Sequence, residues 1–121
     1  MSTAPLFRPG HNIAMKVPPH QYEATLRFYR DVLKLEDRSQ GSSSVRFAFG
    51  DKTLWIDRVP ALSQAEIWLE IVTRDIDQAA RVLAAEGVVR CDDIEPLPDG
   101  MAAFWISSPA AIVHLVSAPG A

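Results

Sequence analysis

Ile13, Met15 and Val17 alternate with Asn12, Ala14 and Lys16, the period of a strand with one apolar face and one polar or small face. Pro18 and Pro19 end that run. From Tyr22 to Leu35 the apolar residues return at helical spacing: Tyr22, Leu26, Tyr29 and Leu33, widened by Phe28, Val32 and Leu35. Strand patterns follow over Glu36–Gln40, Val45–Phe49 and Thr53–Val59, separated by turns at Gly41–Ser44 and Gly50-Asp51. After a linker at Pro60–Gln64 the order restarts. Glu66–Thr73 reads as a strand. Asp75 is placed to cap a helix with Gln78 as its capping partner, Ile76, Ala80, Leu83 and Ala84 form the apolar stripe, and Gly87 ends it. Val88–Asp92, Met101–Ser107 and Ala111–Ala118 are the closing strands.

The order is therefore β-α-β-β-β twice. Each half is too small to bury its own sheet, so the two must share one architecture. The expected fold is α+β: two tandem modules, residues 11–60 and 65–118, forming curved, mostly antiparallel sheets around a concave cavity with helices on the outer face. Residues 1–10, ended by Pro9-Gly10, read as a flexible arm.

Composition narrows the functions. The chain has 121 residues with 12 Lys and Arg against 15 Asp and Glu, a net charge of −3 without a basic stripe, so nucleic acid is not the expected partner. No apolar run suits a membrane span or a leader peptide, and the expected location is the cytoplasm. Cys91 stands alone and reads as a spectator thiol, not as part of a disulfide framework or a cysteine metal cluster. There is no phosphate-cradling glycine loop and no serine or cysteine nucleophile set.

HNIAMKV, the helix segment Phe28–Leu35 (FYRDVLKL), the Asp75-Ile76-Asp77 opening of the second helix and the final AIVHLV after a proline turn resemble the vicinal oxygen chelate superfamily. That group includes glyoxalases, bleomycin resistance proteins and extradiol dioxygenases. The segment Phe28–Leu35 is similar to the family's FY…vLGl helix, whereas Ser107–Ala111 departs from its usual Asp-Pro-x-Gly turn, which marks a divergent relative. The resemblance covers residues 11–118.

The resemblance implies four ligand positions for a divalent metal (iron, manganese, nickel or zinc), and here they fall on Asn12, Asp57, Trp68 and His114. His11 would need a one-residue slip, which turns a side chain to the other face. Asp57 and His114 suit a metal, Asn12 is a weak ligand, and an indole cannot ligate. A site without a full metal set is the favoured expectation. Trp55 and Trp68, with Trp105 as a further wall, would present aromatic surface, and Lys16, Arg46, Glu70 and His114 would orient a small aromatic or amphipathic molecule. The alternative is a metal-dependent lyase, isomerase or dioxygenase using Asp57 and His114 plus Asn12 or His11, with Glu70 transferring a proton. A third reading is a module that has lost its ligand and works through assembly. His20 is expected to be exposed, and a homodimer is the expected assembly.

Overall fold

The computed structural model describes residues 5–40 and 44–119. The Gly41–Ser43 part of the expected turn and the first four residues of the expected arm lie outside them. The chain divides into two compact units, His11–Trp68 and Met1–Gly10 with Leu69–Ala121.

The described residues hold eight strands and two α-helices. They are β1 (Phe7–Pro9), β2 (Asn12–Val17), α1 (Pro19–Arg27), β3 (Val45–Phe49), β4 (Lys52–Arg58), β5 (Glu66–Thr73), α2 (Ile76–Ala85), β6 (Val89–Arg90), β7 (Ala103–Ser107) and β8 (Val113–Ser117). The protein is thus α+β with the strand–helix–strand order occurring twice. Antiparallel pairs outnumber parallel ones, which are β2 with β4 and β5 with β8.

In the unit His11–Trp68, β2 lies between β4 and the first residues of β5, and β3 pairs on the far side of β4. Val17, Phe47, Leu54 and Ile56 are buried with Leu26 of α1, and Ile13, Met15, Tyr22 and Tyr29 pack around them. The alternation of β2 therefore points its apolar set toward α1, as period two requires. Proline at the first helical position starts α1 three residues earlier than the apolar spacing suggested, because its fixed φ suits that place and its missing N–H costs nothing there.

After Arg27 the helix widens into a π-helical turn, Phe28–Val32, with Leu33 N–H donating to Phe28 O at 2.9 Å and Leu35 N–H to Tyr29 O at 3.1 Å. The extra residue keeps Tyr29 and Leu35 on the core but turns Phe28, Val32 and Leu33 outward, at 46%, 61% and 47% exposure. The expected apolar stripe through Leu33 thus gives way at this turn. Lys34, with φ 58°, closes it in the left-handed region. The expected strand Glu36–Gln40 reduces to one antiparallel bridge, Asp37 to Phe47. Its polar side chains bond locally instead: Asp37 Oδ1 accepts from Ser39 N–H at 2.8 Å, and Arg38 pairs with Glu36 at 2.8 Å.

In the other unit α2 covers Phe104, Ile106 and Val116 through Ala79, joined by Ile71, Ile76, Ala80 and Leu83. Asp75 Oδ1 accepts from Gln78 N–H at 3.0 Å, capping the helix as expected. Thr73 Oγ1, not the Gln78 side chain, accepts from Asp75 N–H at 3.3 Å. Gly87 at φ 76° ends α2, with Gly87 N–H to Ala84 O and Val88 N–H to Leu83 O, the paired bonds of a Schellman ending. Residues 7–9, read from sequence as part of a flexible arm, are instead a strand pairing antiparallel with Ile71–Thr73, and Phe7 packs on this core. Gly10 secures the attachment, since its N–H donates to Glu70 O at 2.8 Å.

Candidate functional site

The face of the unit His11–Trp68 opposite α1 is a grid set by strand register. Ala14 lies between Trp55 on β4 and Trp68 on β5, and Arg46 on β3 lies beyond Trp55. One step along, Lys16 lies between Asp57 and Glu66. One step back, Asn12 stands beside Thr53, which stands beside Ala48. Neighbouring strands are about 4.8 Å apart, so the two tryptophans start about 9.5 Å from each other across a methyl floor.

Both indole N–H groups are satisfied within the chain. Trp55 Nε1 donates to Asn12 Oδ1 at 2.7 Å, and Trp68 Nε1 donates to Glu66 Oε1 at 3.0 Å. Both rings also carry a cation. The Arg46 guanidinium lies 4.9 Å from the Trp55 ring centre, and Lys16 Nζ lies 4.3 Å from that of Trp68. Arg46 is held there by a 2.9 Å bond from Nε to Arg38 O.

Lys16 is the most constrained charge of the face. Only 4% exposed, it donates to Asp57 Oδ2 at 2.8 Å. A buried ammonium needs a partner of this kind, because desolvation without one is prohibitive. The indole face supplies a second interaction on the other side.

In the other unit Glu70, Leu115 and Trp105 share the face opposite α2. Trp105 is 6% exposed and doubly anchored: its Nε1 donates to Glu95 O at 2.9 Å and its backbone N–H to Asp92 Oδ1 at 3.0 Å. A short 3-10 turn, Asp92–Ile94, places both acceptors. Partial burial raises the Asp92 pKa, but the bonds from Trp105 N–H and Arg90 outweigh it and hold the carboxyl below its usual range. Burial, with Asp92 alongside, pushes the Cys91 thiol up and leaves it a poor thiolate. His114 sits across from Leu69 and Ile106, on the side of Phe104 and Val116 that α2 covers, and its Nδ1 pairs with Ile112 O at 3.0 Å.

Of the residues singled out from sequence, Asn12, Lys16, Arg46, Trp55, Asp57 and Trp68 thus share one face of one unit. Glu70, Trp105 and His114 belong to the other unit, and His114 has the opposite strand parity from Glu70 and Trp105. His11 and His20 are exposed, with His11 Nδ1 facing Asp51 O at 3.2 Å. Glu66 and Ala14 were not singled out. Glu66 precedes Trp68 by two residues on the same strand face, which was the available signal.

The implied metal set can be tested on these contacts. Asn12 Oδ1 already accepts an indole N–H, Asp57 Oδ2 holds an ammonium, and Trp68 offers a π-face with no lone pair. Among the described residues no three His, Cys, Asp or Glu side chains come together as a metal site. The residues at these positions do not fit a divalent ion, because Lys16 would repel it from the one carboxylate among them in this unit.

No protein-family model and no curated protein sequence matches the chain. Solved structures do. A Mn(II)-bound glyoxalase from Novosphingobium aromaticivorans aligns with TM-score 0.62 and 18% identity over 91% of this chain, which spans only 38% of that one. A glyoxalase/bleomycin resistance protein/dioxygenase superfamily member from Vibrio splendidus gives 0.59 and 12% over 88% of this chain and 97% of its own. Methylmalonyl-CoA epimerase from Mycobacterium tuberculosis gives 0.62 and 13% over 100% of this chain and 94% of its own. The chain thus shares the fold of these glyoxalase, epimerase and glyoxalase/bleomycin resistance protein/dioxygenase structures. Among the described residues no helix is long and apolar enough to cross a membrane.

Proposed function

We propose that the protein binds a small, flat aromatic or amphipathic organic molecule on the Trp55–Ala14–Trp68 row, without using a full metal site. The observation that carries this reading is the pair of indoles flanking one alanine, each with its N–H satisfied inside the chain. Indoles so arranged offer planes and not donors, which suits stacking and apolar contact. The Arg46 guanidinium lies over one face of Trp55, and Lys16 and Asp57 supply polarity at one end. Trp105 serves as a wall of its own unit, and Glu70 has no proton-transfer role in this reading.

The metal-dependent alternative rests on the manganese-bound relative, and the Lys16–Asp57 contact weighs against it. The protein is taken to act in the cytoplasm as a homodimer. The test is a fluorescence titration with a panel of aromatic and amphipathic compounds. A compound that quenches the wild type saturably and fails with Ala14→Leu, which fills the floor between the indoles, supports the reading. Quenching unchanged in Ala14→Leu, or absent across the panel, contradicts it.

A further inference from the structure

We propose that Lys16 is the resident cation of this face: its ammonium, set between Asp57 and Glu66 and over Trp68, takes the place of a divalent metal. Three of the four positions at which the resemblance calls for metal ligands lie in this unit, on Asn12, Asp57 and Trp68. Two of the three contact one ammonium, Asp57 Oδ2 at 2.8 Å and the Trp68 ring centre at 4.3 Å. Lys16 reaches them from β2, where register sets it directly between Asp57 and Glu66 on the flanking strands.

The chemistry of the set favours an ammonium throughout. A carboxylate serves either cation, but an indole face attracts a monovalent organic cation and cannot coordinate a metal. Trp68 is therefore not merely a lost ligand. It is a π-face partner for a lysine that is only 4% exposed and bonded to the Asp57 carboxylate. The carboxylates at 57 and 66 then stand on either side of a cation that the chain itself provides, so a divalent ion meets repulsion at short range. This inference does not depend on which organic molecule binds, or on whether one does.

Manganese binding and thermal stability test it together. Wild-type protein is titrated with Mn2+ and followed by electron paramagnetic resonance. The melting temperature is measured in millimolar MnCl2 and in KCl of equal ionic strength. The wild type is expected to show no saturable binding and no Mn2+-dependent shift. Lys16→Ala is expected to melt lower, and to recover part of the loss in MnCl2 but not in KCl, as the exposed carboxylates take up the ion. Lys16→Ala with Asp57→Asn is expected to show no recovery. Near-stoichiometric Mn2+ on the wild type, lost in Asp57→Asn, overturns the proposal, as does a Lys16→Ala protein that responds identically to the two salts. Should Lys16→Ala not fold, the wild-type and Asp57→Asn titrations decide alone: no saturable binding by the wild type upholds the proposal, and stoichiometric binding overturns it.

Discussion

Lys16 Nζ lies 2.8 Å from Asp57 Oδ2, with the lysine side chain 5% and the aspartate side chain 35% exposed. The asymmetry decides the energetics. Removing the aspartate strands a buried ammonium, whereas removing the lysine leaves a carboxylate that water can partly reach. Asp57→Asn should therefore cost more than Lys16→Met, about 2–4 kcal/mol against about 1–3 kcal/mol. In a double-mutant cycle followed by urea unfolding, the coupling should be about 1–2 kcal/mol. Additive losses would show that the contact contributes nothing to stability.

Lys34 and Ala111 hold φ of 58° and 63°, a region where a Cβ is strained. Lys34 makes one side-chain bond there, from Nζ to Asp31 O at 3.2 Å, and it is exposed. Lys34→Gly and Ala111→Gly should each stabilise by about 0.5–1 kcal/mol, the strain relieved exceeding the entropy glycine adds to the unfolded chain. Melting temperatures check this. A lower value for both variants would mean that neither position is strained.

Gly10 is buried, and a Cβ there would overlap the Glu70 carboxylate, with Cγ of Glu70 also 2.5 Å away. Gly10→Ala should lower the melting temperature and speed proteolysis ahead of residue 10, because β1 is held to β5 at this point. Gly10→Ala with Glu70→Ala should recover part of the loss, since the obstruction is a flexible side chain. No recovery would place the strain in the backbone.

Much of the fold was legible because its signals are local. The period-two split of Asn12–Val17 and the Asp75 cap need only neighbouring residues. β1 was not legible, since Phe7–Pro9 becomes a strand only by meeting Ile71–Thr73 far along the chain. The site was legible as a set of residues on one face but not as a grid. That Ala14 is the shared neighbour of Trp55 and Trp68 follows from inter-strand register, which no single strand carries. The π-turn after Arg27 escaped for a related reason: the pattern from Phe28 to Leu35 suits a regular helix, and packing of Tyr29 and Leu35 overrides it.

Asp92 predicts a pH effect of definite sign. Partial burial raises its pKa, but the bonds from Trp105 and Arg90 more than offset this, so the folded value lies below the unfolded one. Its contribution is present above the unfolded value, about 3.9, and is lost as pH falls through the folded value. Asp92→Asn should therefore melt below the wild type at neutral pH, and the difference should shrink in acid below about pH 4. A difference that grows in acid would reverse the sign.

The indole N–H resonances of Trp55, Trp68 and Trp105 test the central claim most directly, because their acceptors are distinct: Asn12, Glu66 and the Glu95 carbonyl. On 15N-labelled protein titrated with a compound that quenches tryptophan emission, the Trp55 and Trp68 signals should move together along one saturation curve while Trp105 stays in place. Movement of Trp105 alone, or saturable binding that leaves Trp55 and Trp68 unshifted, would contradict a ligand seated over Ala14.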